Sequence, residues 1–208
     1  IITTAFSIKS IIETAKQKKE PFLNKEGTYI KAFKSQIDAT YQNYFFHASS
    51  EVLKKGKVPL VIILPFFHNP LSSMLKSWYL SNSDQIDWEK RLADENGFAL
   101  MWPYLRGNSS TSPIAITDFF EVLKDVKQNY NIDPDRIFLM GDCLGATRSI
   151  LIASKYPDLF AGISLFQAET GSLNDEHSPV NFIENLYNIP IYLYHSNKDE
   201  IVPVSNSD

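Results

Sequence analysis

The stretch "RIFLMGDCLGATRS" at residues 136–149 joins an apolar run to a helical pattern through two glycines that flank a cysteine. Gly141 and Gly145 stand two positions before and two positions after Cys143. In a sharp turn from a strand into a helix these two positions are crowded, and glycine relieves the crowding because it has no Cβ. The spacing therefore predicts a strand–turn–helix elbow that holds the side chain of Cys143 above the carboxyl edge of a sheet.

Apolar runs without polar alternation recur on both sides of this elbow, and such runs are typical of strands covered on both faces. They are "VPLVIILP" (58–65), "GFALMWPY" (97–104), "FAGISLF" (160–166) and "IPIYLYH" (189–195). Helical patterns alternate with these runs, one of them with Ser112 as the N-cap and Pro113 at its first position. Residues 28–49 are aromatic and β-branched and are broken near "DAT", which predicts two strands joined by a tight turn. The pattern predicts an α/β domain at residues 28–208, with a mainly parallel sheet, helices on both faces and an antiparallel N-terminal hairpin.

Composition places the chain among ordinary globular proteins. It has 208 residues, of which 44% are hydrophobic, and a formal charge of -4, so nothing suggests the basic surface of a nucleic-acid-binding protein. The longest apolar run, residues 59–67, is too short to cross a bilayer. Cys143 is the single cysteine, and no spacing of histidines or cysteines suggests metal ligands. We expect no metal, no cofactor and no membrane span, and a small-molecule or polymer substrate rather than nucleic acid.

The two ends of the chain, "IITTAFSI" and "NSD", look cut from something longer. In residues 1–27 we expect a helical lead-in, a short helical segment that precedes the α/β domain, because apolar residues at helical spacing are followed by Pro21. We expect a domain truncated at its C-terminus, and the sequence leaves open any signal peptide and the oligomeric state.

Residues 129–166, "NYNIDPDRIFLMGDCLGATRSILIASKYPDLFAGISLF", resemble the core of the α/β-hydrolase superfamily, specifically its prolyl-oligopeptidase-like and esterase members. The similarity extends to the hairpin, to "VPLVIILP", to "YLRGNSS" (104–110) and to "IPIYLYHSNKDEIVP" (189–203), in the family's order. The elbow "GDCLGA" is also similar to that of the dienelactone hydrolases, which carry a cysteine there. The resemblance implies an α/β-hydrolase fold and an acyl hydrolase, esterase or peptidase-like, that acts on an ester or peptide. It also suggests a secreted or periplasmic protein.

The resemblance further implies catalytic roles. Cys143 occupies the nucleophile's place, and the backbone N–H of Leu144 is an oxyanion donor. Asp199 in "HSNKDEIVP" matches the acid that orients the histidine, with Glu200 as the alternative. The family's histidine follows the acid in sequence, yet the nine residues after Asp199 contain none. We therefore expect the base to lie beyond this chain.

The four histidines of the chain are weaker candidates for the base. His195 matches a structural histidine of the family, and His47 lies in the hairpin. His68 and His177 lie in loops that could face the elbow.

Other candidate site residues depart from the family's pattern. Phe66 and Phe67 stand where the family has glycines that supply the second oxyanion donor, and this restricts the backbone there. Asp142 and Arg106 are candidate substrate-binding residues, although a structural role that supports its loop is favoured for Arg106. A carboxylate at Asp142 would oppose formation of a thiolate on Cys143. Two alternatives therefore stay open: a catalytically impaired hydrolase-like domain that binds a ligand or partner, and a cysteine introduced in place of a serine to trap a substrate.

Overall fold

The computed structural model of the chain describes residues 21–64, 84–106, 112–169 and 178–207, together with residues 13, 16 and 17. The helical lead-in expected in residues 1–27 lies largely outside the described residues, and the domain boundary at residue 28 stays a prediction. No helix in the described ranges is long and apolar enough to cross a membrane.

In the part of the chain that the structure describes, seven strands form one sheet. They are β1 (Gly27–Lys34), β2 (Tyr41–Ala48), β3 (Val58–Leu64), β4 (Ala99–Pro103), β5 (Ile132–Asp142), β6 (Gly162–Phe166) and β7 (Ile191–Tyr194). Their order across the sheet is β1-β2-β4-β3-β5-β6-β7. The hairpin β1–β2 is antiparallel, β2 is antiparallel to β4, and the remaining neighbours are parallel. Both the mainly parallel sheet and its antiparallel N-terminal hairpin are thereby confirmed.

Helices connect the strands. They are α1 (Ser50–Leu53), α2 (Asp84–Asn96), α3 (Pro113–Asn129) and α4 (Leu144–Lys155), with 3-10 helices at Pro157–Leu159, Pro179–Leu186 and Val204–Ser207. Helix α3 begins as predicted, with Ser112 at the N-cap and Pro113 in the first turn. Helix α4 ends two residues before Pro157, because proline cannot continue a helix.

Both faces of the sheet are covered, and β3 shows how. Leu60 and Ile62 belong to the larger core, which the buried faces of α3 and α4 complete. Val61 and Ile63 point the other way, into a smaller core that contains Ala93 of α2. Successive strand residues point to opposite faces, so a strand covered on both sides must be apolar throughout. Burial of β3 on both faces thus explains why polar and apolar residues do not alternate in "VPLVIIL".

Strand β7 forms the outer edge of the sheet beyond β6. All four of its residues, Ile191–Tyr194, are exposed. Beside it lies an open apolar cleft of about 400 Å³, lined in part by Phe138, Met140 and Tyr192. The described residues leave this end of the sheet largely uncovered.

Candidate active site

Cys143 forms the turn between β5 and α4 by itself. Strand β5 ends at Asp142 and helix α4 begins at Leu144. The backbone of Cys143 has φ 52° and ψ -121°, a conformation that side-chain-bearing residues rarely adopt. Strain of this kind costs about 1–3 kcal/mol and is concentrated at functional sites. The structure therefore contains the predicted strand–turn–helix elbow.

The strand enters the elbow in close contact with the helix that leaves it. A Cβ on Gly141 would lie 2.2 Å from both the carbonyl carbon and the carbonyl oxygen of Gly145. It would also lie 2.5 Å from the backbone nitrogen of Ala146. Only glycine at position 141 permits this close approach, and the same crowding is the steric basis on which the sequence predicts the elbow.

Backbone hydrogen bonds join the elbow to the ends of the neighbouring strands. The N–H of Cys143 donates to the carbonyl of Phe166 at 2.8 Å, and the N–H of Gln167 donates to the carbonyl of Tyr194 at 3.0 Å. The carboxyl ends of β5, β6 and β7 are thus held side by side. The loop after β7, which carries Asp199, starts from the same edge as the elbow.

The amino terminus of α4 lies directly behind Cys143. The carbonyl of Cys143 accepts from the N–H groups of Ala146 and Thr147, at 2.9 and 3.2 Å. The earlier N–H groups, those of Leu144 and Gly145, have no acceptor within the helix. The positive end of the helix dipole adds to their attraction for negative charge. This end of α4 can therefore stabilise an anion at the elbow.

Asp199 is held as a carboxylate by its own loop. Its Oδ1 accepts from the N–H groups of Val202 and Ile201, both at 2.9 Å. These two bonds, first that of Val202, lower the pKa of Asp199, and the nearby His195 lowers it further. The side chain is 14% exposed, and its Oδ2 lies 3.6 Å from Nε2 of His195, beyond a normal hydrogen bond. One carboxylate oxygen thus remains for another donor.

His195 supports this loop. Its side chain is 3% exposed. Its Nε2 lies 2.8 Å from the carbonyl of Val202, which can only accept, so Nε2 carries the proton. Its Nδ1 then accepts from the hydroxyl of Ser207 at 2.6 Å. Both ring nitrogens are engaged, which is the structural role that the resemblance implies for this histidine.

Asp142 adds a second carboxyl group beside the elbow. Its side chain reaches solvent. Partial desolvation raises the pKa of Asp142 and the negative charge of Asp199 raises it further, while the neighbouring backbone N–H of Cys143 lowers it. Asp142 ends β5 and Asp199 lies in the loop after β7, so both carboxyl groups belong to the same edge of the sheet as Cys143.

The guanidinium of Arg106 donates hydrogen bonds to three side chains. Its Nε donates to Asp118 at 3.0 Å, its Nη1 to Asp38, and its Nη2 to the hydroxyl of Ser35 at 2.8 Å. The bond from Arg106 holds the pKa of Asp38 far below its usual range. Burial raises the pKa of Asp118, and Arg106 offsets part of that rise. The guanidinium thus joins the turn of the hairpin to α3, which favours the structural role left open for it.

Four candidates lie outside the described residues: Phe66, Phe67, His68 and His177. Their parts in an oxyanion hole or as a base stay predictions. In the described ranges, no group of three or more histidine, cysteine, aspartate or glutamate residues is placed to hold a metal ion.

Two features of the structure leave no signal in the sequence. Arg148, five residues after Cys143, is 1% exposed, and burial lowers its pKa to about 10. Nothing in the helical pattern of α4 marks this arginine as buried. The second feature is a contact of His47 with Thr28 and Asp94, which come from three separate elements and share no sequence pattern.

A mainly parallel sheet with an antiparallel hairpin, helices on both faces and an elbow at the end of a central strand defines an α/β-hydrolase. A sequence model of the dienelactone hydrolase family matches residues 90–208, more than half of the chain. The chain belongs to the dienelactone hydrolase family, and thus to a family of hydrolases. None of the curated protein sequences compared with the chain is significantly similar to it.

Solved structures share the fold at low sequence identity. A thermostable esterase is 21% identical with a TM-score of 0.66 over 91% of this chain, which spans 51% of that protein, about half its length. An S-formylglutathione hydrolase from Staphylococcus aureus is 16% identical, with a TM-score of 0.62 over 85% of this chain and 81% of its own. An acylaminoacyl peptidase from Pyrococcus horikoshii is 14% identical, with a TM-score of 0.62 over 88% of this chain and 34% of its own. At these identities the likeness concerns the fold.

Proposed function

We propose that the chain carries the elbow and the acid of an acyl hydrolase, an esterase or a peptidase-like enzyme that acts on a small-molecule or polymer ester or peptide. Cys143 is the nucleophile, Leu144 supplies an oxyanion donor, and Asp199 orients a histidine that lies beyond these 208 residues. The observation that carries the proposal is the strained backbone of Cys143, with φ 52° and ψ -121°, at the amino terminus of α4.

In the proposed reaction, Sγ of Cys143 bonds to the carbonyl carbon and its thiol proton passes to the histidine. The N–H of Leu144 stabilises the oxyanion of the tetrahedral intermediate. The bond to the alcohol or amine then breaks, and that leaving group takes the proton from the histidine. Water hydrolyses the thioester by the same steps in reverse. Phe66 or Phe67 remains the candidate for the second oxyanion donor.

The hydrogen bonds of Asp199 support its part in this reaction. Two backbone N–H groups occupy Oδ1 and keep the carboxylate ionised, while Oδ2 has no partner closer than the 3.6 Å contact to His195 among the described residues. A carboxylate fixed in this way can accept an imidazole N–H and stabilise the imidazolium that forms.

A second candidate function is a hydrolase-like domain that binds a ligand without turning it over. Asp142 favours it, because a carboxylate next to Cys143 opposes formation of a thiolate. In an active enzyme, Asp142 instead contacts the substrate from the solvent-exposed side of the elbow. Arg106 is a poorer candidate for substrate binding, since its donors already have partners.

The test is hydrolysis of p-nitrophenyl acetate by the protein extended through its natural C-terminus. We expect Cys143→Ala to lower kcat roughly a thousandfold or more, as loss of a nucleophile does. We expect Asp199→Asn to lower kcat by a factor of roughly 10²–10⁴. Cys143→Ser is the matched variant, because it keeps a nucleophilic atom at the elbow.

Equal rates for the unmodified protein and Cys143→Ala would contradict the assignment of the nucleophile. A protein that binds a non-hydrolysable ester analogue, yet shows no turnover before or after Asp142→Asn, would favour the second candidate.

A further inference from the structure

A hydroxyl, an imidazole and a carboxylate form a hydrogen-bonded chain in the N-terminal hairpin. Thr28 in β1 lies directly opposite His47 in β2, so their side chains stand on the same face of the sheet. Oγ1 of Thr28 is 2.8 Å from Nδ1 of His47. On the other side of the ring, Nε2 of His47 is 3.0 Å from Oδ1 of Asp94, near the end of α2.

The chemistry of these groups determines which atom donates the proton in each of the two hydrogen bonds. The carboxylate of Asp94 only accepts, so Nε2 of His47 carries the ring proton. Nδ1 then accepts from the hydroxyl of Thr28. Burial lowers the pKa of His47, and nearby Lys90 lowers it further, against the effect of Asp94. The imidazole is therefore neutral near pH 7, and its Nδ1 can take a proton from Thr28.

This chain of groups faces an open cavity of about 630 Å³. Thr28, His47 and Asp94 line it together with Asp87, Lys90 and Arg91. The ammonium of Lys90 pairs with Asp87 at 2.6 Å. The guanidinium of Arg91 has no hydrogen-bonded partner among the described residues, so it is the cation available to a ligand.

The cavity is separate from the elbow. His47 pairs with Leu100, the second residue of β4, and so lies at the amino-terminal edge of the parallel strands. Cys143 follows the last residue of β5, at the carboxyl-terminal edge. Chemistry at this cavity would therefore not use the residues of the proposed acyl hydrolase.

We propose that Thr28, His47 and Asp94 form a second acyl-accepting site, at which the hydroxyl of Thr28 takes the acyl group of a small anionic donor such as an acyl phosphate. A hydroxyl next to a neutral imidazole, itself held by a carboxylate, is the general arrangement of an activated nucleophile. Arg91 favours an anionic acyl donor, because its guanidinium can bind the phosphate group.

The transfer is balanced within the site and its donor. Oγ1 of Thr28 bonds to the acyl carbon as its proton moves to Nδ1 of His47. The bond between the acyl carbon and the phosphate oxygen breaks, and inorganic phosphate leaves with the electron pair. Asp94 stabilises the resulting imidazolium of His47, which then releases its extra proton to solvent. The product is an acyl ester of Thr28.

The experiment uses the full chain with Cys143→Ala, so that the elbow cannot contribute. The protein is incubated with acetyl phosphate, and tandem mass spectrometry locates and quantifies the acetyl groups. We expect acetylation of Thr28, none at position 28 in Thr28→Val, and a rate at least roughly tenfold lower in His47→Gln, as expected for loss of a general base. Arg91→Gln should slow the acetylation with acetyl phosphate more than with neutral p-nitrophenyl acetate.

Thr117 provides the matched control. It is an exposed threonine of α3 whose hydroxyl donates to the carbonyl of Pro113, with no imidazole beside it. Thr117 should stay unlabelled, and Thr117→Val should leave the labelling of Thr28 unchanged. If His47→Gln does not fold, Asp94→Asn replaces it, because the side chain of Asp94 is 40% exposed. The proposal is overturned if Thr28 is labelled no faster than Thr117, or at the same rate in the folded variant of His47 or Asp94.

Discussion

The close approach within the elbow can be tested by replacing Gly141 with alanine. The added Cβ would meet the backbone of Gly145 at 2.2 Å and that of Ala146 at 2.5 Å. No flexible side chain can move aside, because all these atoms belong to the backbone at the start of α4. Overpacking typically costs 1–3 kcal/mol, and occasionally more. We expect Gly141→Ala to lower the free energy of unfolding by about 3 kcal/mol, the upper end of that range.

Gly162 in β6 is the matched control. A Cβ there would lie 3.3 Å from the carbonyl oxygen of Pro190 and 3.4 Å from a ring carbon of Phe138. These contacts need a shift of only a few tenths of an ångström. Alanine also lowers the entropy of the unfolded chain, which stabilises by about 0.4–1 kcal/mol. The two effects nearly cancel, so we expect little change in stability for Gly162→Ala.

Urea denaturation followed by circular dichroism measures the free energy of unfolding of both variants, and thermal denaturation measures their Tm. For a chain of this size, a loss of about 3 kcal/mol lowers the Tm by roughly 6–12 °C. The Gly162→Ala variant should unfold within about 0.5 kcal/mol of the unmodified chain, the usual range of a neutral substitution. If Gly141→Ala proves as stable as Gly162→Ala, the backbone of Gly145 does not exclude a Cβ at position 141.

Two further substitutions test the ionic contacts. Arg106→Gln leaves the carboxylate of Asp118, only 2% exposed, without its cation, so we expect a loss of about 3 kcal/mol in urea denaturation. Lys54→Gln, which breaks a fully exposed pair with Glu51, should cost far less because water screens the two charges, and equal losses for the two variants would contradict this view. Asp199 has a lowered pKa when folded, so its stabilising effect is complete above the unfolded value of 3.8 and is lost as the pH falls below it. Asp199→Asn cannot titrate, and its stability should therefore fall less steeply in acid; identical slopes in denaturation at a series of pH values would refute this.

Local sterics and periodicity made much of the fold predictable from the sequence. Glycines two positions either side of Cys143 predict the elbow, because a sharp strand-to-helix turn leaves no room for a Cβ at position 141. The apolar runs predict strands, because a strand with both faces covered has no polar side. Pro113 and Pro157 predict where helices begin and end, because proline lacks an N–H.

The site itself could be predicted only in part. Resemblance and position predict the roles of Cys143 and Asp199, and these roles stay predictions; the two residues follow β5 and β7, which end at the carboxyl edge of the sheet. The engagement of both nitrogens of His195 depends on Val202 and Ser207, which reach it only when the loop after β7 folds back. The partners of Arg106 come from the hairpin and from α3, 68 and 12 residues away in sequence.

By itself, the sequence determined the order of strands and helices, the elbow and the identity of its central residue. These features depend on contacts between residues a few positions apart, which leave a pattern in the sequence. Only the tertiary structure decided that Arg106 is held by Asp38 and Asp118, and that Thr28, His47 and Asp94 meet at one cavity. Such contacts arise when distant segments pack across the sheet, and the spacing of residues along the chain carries no record of them.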